Sequence, residues 1–263
     1  MLFSERDRWH YANNQLQEVI CQFRFPTILS INEKAPADFQ DAIRDAFPRY
    51  EVRKQQQPPK LVNPGTPAAK LEPGAVVNQH IFLSSTGIWK IILSQDSITL
   101  TTLRYNTWED FAQRLDRPLA EFIRIYQPAY FERIGLRYMN ILSRKSLNLE
   151  DTPWRELIAP AYLGVLSDPE LDETQVNKCT MDTQLRFPDG TFLKIHSGPG
   201  RIKVNGQTSE EPRFILDFDC SSVGQLPGEL VPEKLSQLHT HASAAFLGAI
   251  TDTLHSAMGA DPL

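Results

Sequence analysis

From Phe131 to Leu142 the chain reads FERIGLRYMNIL, and the alternation in this stretch decides the fold class. Ile134, Leu136 and Tyr138 fall on one side, Arg133 and Arg137 on the other, which is the period of a strand buried on one face only. Gln17 to Phe25, QEVICQFRF, repeats the pattern, with Val19, Cys21, Phe23 and Phe25 on one face and Glu18, Gln22 and Arg24 among the side chains opposite. Strands with one apolar face belong to antiparallel sheets, because parallel sheets are covered on both sides. The expectation is therefore an α+β protein with a largely antiparallel, curved sheet and helices packed on one face.

Working outward, PADFQDAIRDAF (residues 36–47) has helical spacing at Phe39, Ile43 and Phe47. Residues 51–78 lose all periodicity, hold Gln55, Gln56, Gln57 and five prolines, and read as a long loop with no packed element. Three β-rich runs follow at 80–84, 88–94 and 98–105. Thr107 can cap a long helix over Phe111, Leu115, Leu119, Phe122 and Ile123, with Asp110 placed as in a capping box. After the strand at 131–142 comes a helix opened by Pro153 and broken at Pro160. A hairpin turns at Pro188-Asp189-Gly190, a strand covers 213–220, and a closing helix carries Leu235, Leu238, Ala242, Phe246, Ile250 and Leu254 on one stripe. Both halves, 14–126 and 131–258, thus read β-α-β-β-β-α. This order implies two copies of one unit sharing a single sheet of up to eight strands.

Composition narrows the function classes. At 263 residues, 41% hydrophobic and 22% charged, the chain can bury a core without a disulfide or metal staple. A net charge of -5 leaves no basic excess for nucleic acid. No apolar run reaches the length of a membrane helix, and MLFSERDRWHYANNQ lacks the apolar stretch of a signal peptide. Cys21, Cys179 and Cys220 lie far apart and read as reduced thiols. The expected compartment is the cytoplasm, with no membrane partner.

The strong catalytic motifs are missing: there is no HExxH, GxxxxGK[ST] or GxSxG. The glycine cluster Gly198-Pro199-Gly200 with Gly206 precedes no helix and reads as a turn. His239 and His241 stand two apart on a helix, point away from each other, and cannot share a metal from that helix alone. His239 reads as a hydrogen-bonded, partly buried histidine.

The sheet face opposite the helices gathers Glu18, Gln22, Arg24, Arg133, Arg137, Asp182, Arg186, Lys194, His196, Asp217 and Asp219. Asp217 and Asp219, alternate residues of one strand, stand about 7 Å apart on one face. Two such carboxylates need cations or a metal beside them. Arg133, Arg137, Arg186 and Lys194 can serve as the cations. A Mg²⁺ or Mn²⁺ ion is the other solution, and basic neighbours would then suit a phosphorylated substrate. Between Arg133 and Arg137, Gly135 leaves a gap that admits a carboxylate, a phosphate or a partner's backbone; surface ion pairing accounts for the two arginines equally well.

At EVICQFRFP, PADFQ, YNTWEDF and ERIGLRYMN the chain resembles a sporadically distributed family of uncharacterised bacterial proteins. Its members share an early E-V-x-x-x-x-R-F strand, a central R-I-G-L-R-Y strand, and a late L-H helix ending near I-T-D. Here these are Glu18 to Phe25, Arg133 to Tyr138, Leu238-His239 and Ile250-Thr251-Asp252. The resemblance carries over no catalytic residue. Its patchy occurrence implies mobile genes such as those of toxin neutralisation, immunity or phage defence.

Two functions are therefore expected in rank order. The first is a non-enzymatic binding protein that meets a protein partner through Glu18, Arg24, Arg133, Arg137, Arg186 and Lys194, with no cofactor. The second is a metal-dependent phosphohydrolase or nucleotide-binding protein. It would hold Mg²⁺ or Mn²⁺ on Asp217 and Asp219 and phosphates on the arginines, within a sheet closed enough to form a tunnel.

Overall fold

The segment at residues 131–142 is a strand over its whole length, with Ile134, Leu136 and Leu142 fully buried. The computed structural model describes residues 2–5, 8–74, 76–204, 207–209 and 211–262. In chain order it begins with β1 (Trp9–Tyr11), β2 (Leu16–Arg24), α1 (Leu29–Glu33) and α2 (Ala37–Ile43). Then come β3 (Arg49–Gln56), a small ribbon of β4 (Lys60–Val62) and β5 (Lys70–Glu72), and the meander β6 (Val76–Leu83), β7 (Trp89–Ser94) and β8 (Ser97–Thr102). The long helix α3 (Trp108–Tyr126) leads to β9 (Phe131–Leu142), the short α4 (Trp154–Leu157), β10 (Met181–Arg186) and β11 (Phe192–Gly200). A second ribbon, β12 (Lys203–Val204) with β13 (Gln207–Thr208), precedes β14 (Arg213–Leu226). The chain closes with α5 (Val231–Ala249), α6 (Asp252–Ala257) and β15 (Ala260–Pro262).

Nine strands form one antiparallel sheet in the order β10-β11-β14-β9-β2-β8-β7-β6-β3. Running outward from the central β2–β9 pair, the orders β2-β8-β7-β6 and β9-β14-β11-β10 are the same. Each is first strand, fourth, third, second, while β3 adds one strand at the edge of the first half. The sheet ends at β10 and β3 and does not close, so the expected tunnel does not form.

Alternation puts Val19, Cys21, Phe23, Ile134, Leu136, Phe214, Leu216 and Phe218 on the face that the helices cover, each 1% exposed or less. Phe39 of α2 meets Phe82 edge-on at 5.3 Å between centroids. Helix α3 buries Phe111, Leu115, Leu119 and Phe122, leaves Ile123 half-buried, and starts where the Thr107 hydroxyl accepts from the Asp110 N–H at 3.2 Å. Helix α5 adds Leu235, Leu238, Ala242 and Ala245. Cys21 and Cys220 are free and buried, and burial pushes both thiols up.

The structure corrects three readings of the sequence. The proline-rich stretch is not one loop. Residues 49–56 form β3, paired residue for residue with β6, and the β4–β5 ribbon occupies much of the remainder. Every residue of β3 is exposed, so it has no buried face and hence no apolar period to see. Its Arg49, Glu51, Arg53 and Lys54 are the charges that keep an edge strand from pairing further. The closing helix breaks at Ile250, where an extended backbone bridges to Ile158, and Thr251 caps the separate α6. Backbone bonds from Ala159 N–H to Ala249 O and from Thr251 N–H to Leu157 O hold this break. Gly198-Pro199-Gly200 is not a turn but the end of β11, paired with Arg213 to Ile215 of β14, and glycine stands at 198 because a Cβ there would collide with the Cys179 carbonyl. Gly206 lies outside the described residues.

Among the described residues no helix is long and apolar enough to cross a membrane. Phe218→Ala should lower unfolding free energy by about 3–5 kcal/mol through loss of a fully buried ring, whereas Thr107→Ala should cost about 1 kcal/mol through the lost cap. Urea midpoints at unchanged m-value measure both.

Candidate functional site

The face of the sheet away from the helices is organised by β9 and β14, where Arg137 lies opposite Asp219 and Asp217 opposite Met139. Ion pairing runs along the diagonals. Arg137 donates twice to Asp217, Nε to Oδ1 at 2.7 Å and Nη2 to Oδ2 at 2.5 Å, the two-pronged geometry that only arginine offers. Arg133 Nη2 donates to Asp219 Oδ1 at 2.6 Å. The hydrogen bonds to Asp217 hold the Arg137 guanidinium pKa above its ordinary value, and Asp219 and Glu18 add to this. Arg137 is thus one cation shared among three carboxylates.

Gly135 has a different role from the one its position suggests. A Cβ there would collide with Arg133 Nη1, so the arginine lies folded over the glycine on its way to Asp219. The gap expected between the two guanidinium groups is filled by one of them. Each of the two aspartates accepts from an arginine. Among the described residues no group of three or more His, Cys, Asp or Glu is placed to hold an ion.

The remaining predicted residues flank this lattice on the same face. Arg24 of β2 lies directly opposite Arg133, is exposed, and has no ion-pair partner among the described residues. Lys194 of β11 lies opposite Asp219 and is likewise exposed and unpaired among the described residues. Arg186 of β10 sits over the Phe192 ring at 5.6 Å. His196 Nδ1 and Asp182 Oδ1, opposite each other across β11 and β10, are 2.8 Å apart. Arg137, Asp182, Lys194, His196, Asp217 and Asp219 line a shallow, open basin of about 500 Å³. All eight predicted binding and metal residues therefore share one uncovered surface. It presents fixed guanidinium–carboxylate pairs and loose cations, suited to recognising complementary charge.

The two helix histidines do serve different neighbours. His241 Nε2 is 2.8 Å from Asp189 and stacks on Phe187 at 3.8 Å. His239 Nδ1 meets the Tyr138 hydroxyl at 2.9 Å, and its ring lies flat on Trp108 at 4.6 Å. Burial, with a smaller effect of Arg8, lowers its pKa to about 4. The aromatic surroundings of His239 went unread in the sequence; the one signal was the density of rings at Trp9–Tyr11 and Tyr105–Trp108.

Compared with known families and curated proteins, the chain matches no family model and no curated relative.

Arg137→Met should destabilise the fold by about 1–3 kcal/mol at pH 7.5, since Asp217 is left with only 12% of its side chain in water. Urea midpoints at unchanged m-value measure the difference. His239 adds a pH dependence. Its folded pKa lies below the unfolded value near 6.5, so it costs nothing above that pH and withdraws stability as pH falls toward 4. Across that window the wild type should lose about 3 kcal/mol more than His239→Gln.

Proposed function

We propose that the chain is a non-enzymatic, cytoplasmic binding protein that holds a protein partner against the uncovered face of its sheet. The observation that carries this reading is the arrangement of charge there. Arg133 and Arg137 are satisfied by Asp219 and Asp217, while Arg24 and Lys194 stand exposed on either side with no ion-pair partner among the described residues. Fixed pairs give register, and loose cations attract a partner's carboxylates, so the partner surface is acidic. The breadth of the face also favours a macromolecule. Small substrates are usually enclosed in concave, mostly apolar pockets, whereas this basin is shallow and charged. The resemblance carried by the RIGLRY strand adds a biological setting: neutralisation of a toxin, immunity, or phage defence, with the partner encoded nearby.

The reading is tested by affinity capture from the native host's extract at low and at 0.5 M salt. The wild type should retain a stoichiometric acidic protein at low salt and release it at high salt. Arg24→Glu/Lys194→Glu should lose the partner at least ten-fold while its melting temperature stays within a few degrees. A chain that elutes alone, or a double variant that keeps the partner, would defeat the proposal. Heat and thermal stabilisation on titration with Mg²⁺ or Mn²⁺ plus ATP, abolished in Asp217→Asn, would replace it with the phosphate-handling alternative.

A further inference from the structure

On the helix-covered side of the sheet, where β1 crosses the N-terminus of α3 and the middle of α5, the packing leaves a cavity of about 110 Å³. Its wall is aromatic. Trp9, Tyr105, Trp108, Tyr138, His239 and Phe246 all line it, drawn from four separate parts of the chain. The cover is made by the chain ends: β1 pairs with β15, and Tyr11 bonds His255 at 2.9 Å. Arg8 clamps the edge through two hydrogen bonds to Glu109, at 2.8 and 3.1 Å.

Two polar atoms of that wall are left unsatisfied by the protein. Trp9 Nε1 and His239 Nε2 are buried and have no hydrogen-bond partner among the described residues. A buried, unpaired N–H loses its hydration without return, and native proteins tolerate few of them. The indole N–H can only donate. Tyr138 is protonated, since burial holds its hydroxyl well above the ordinary phenol range, and it can donate to His239 Nδ1. In the tautomer in which Tyr138 donates to Nδ1, the His239 proton sits on Nε2, and both orphaned atoms are then donors without an acceptor.

Charge settles which acceptor. Arg8 is neutralised by Glu109, whose carboxyl is drawn down to about 2 by the hydrogen bond from Arg8. His239 is itself held neutral by burial. A carboxylate entering the cavity would find no free arginine or lysine among the described residues that line it and would lose its hydration without return. A carbonyl oxygen carries no such penalty. Size limits the ligand to a single ring: a cavity of about 150 Å³ accepts benzene, and the space here, about 110 Å³, must widen slightly to take one.

We propose that this cavity is a binding site for a neutral, planar, single-ring compound bearing a carbonyl acceptor. The ring stacks among the aromatic walls, and its oxygen takes the N–H groups of Trp9 and His239, with a small outward shift of β1 admitting it. The site is on the opposite side of the sheet from the charged face and does not depend on the partner reading.

The test uses the full chain with uracil, 2-pyridone and nicotinamide as probes, and toluene and benzoate as controls. Tryptophan emission and thermal shift provide the readouts, since Trp9 and Trp108 both line the cavity. At least one carbonyl probe should bind below 10 mM, with toluene and benzoate at least ten-fold weaker. Trp9→Phe keeps the ring and removes the donor, and should weaken that probe roughly five-fold. Glu109→Gln frees Arg8 and should raise benzoate affinity selectively. Arg24→Glu/Lys194→Glu should change none of this. The proposal is overturned if no carbonyl probe moves either signal at 10 mM, if toluene binds as well as they do, or if Trp9→Phe binds unchanged.

Discussion

The antiparallel pairing of β2 with β9 is the joint on which the sheet depends. It joins the two four-stranded orders, and it aligns Val19 with Tyr138, Cys21 with Leu136 and Phe23 with Ile134 on the core side. Slipping that register by one residue would turn buried rings into water and arginines into the core, an exchange costing far more than any local gain. The same register necessarily sets Arg24 opposite Arg133 and Ile20 opposite Arg137 on the other side. The charged face is thus a consequence of core packing. Once the apolar side chains choose their partners, the polar ones have no choice left.

What the sequence disclosed follows from where burial is one-sided. Phe131 to Leu142 and Gln17 to Phe25 were legible because water faces one side of each strand and rings the other. Helix α3 was legible because Thr107 and Asp110 announce its start and its stripe faces the core. The strand β3 was invisible for the converse reason: it is held by backbone hydrogen bonds at an exposed edge, which leave no trace in side-chain type. The break at Ile250 was hidden because Ile250 and Leu254 stay buried whether or not the helix continues, so the apolar stripe runs unbroken through a non-helical residue. Strands β1 and β15 pair the two ends of the chain, a contact that no local window contains.

The polar face was legible as a set of positions but not as a set of bonds. Alternation placed Arg133, Arg137, Asp217 and Asp219 together; it did not say that pairing would run along diagonals. The diagonal arises because Arg133 can fold over a residue without a Cβ, and Gly135 is that residue. With Arg133 reaching Asp219, Arg137 is left to grip Asp217 with both prongs. Two carboxylates that the alternation sets side by side are each met by an arginine, and Arg24 and Lys194 stay exposed at the rim.

Strand alternation also links the two sites argued for above. Arg137 and Tyr138 are consecutive residues of β9, one in the charged lattice and the other in the wall of the aromatic cavity. A strand this well paired does not bend freely, since β2 and β14 hold β9 on both edges along most of its length. A change at one face therefore has little backbone freedom through which to reach the other. The stiffness that keeps Arg133 and Arg137 in register on one face is the same stiffness that keeps Tyr138 in place beside His239 on the other, and it makes the two surfaces neighbours in sequence while leaving them independent in chemistry.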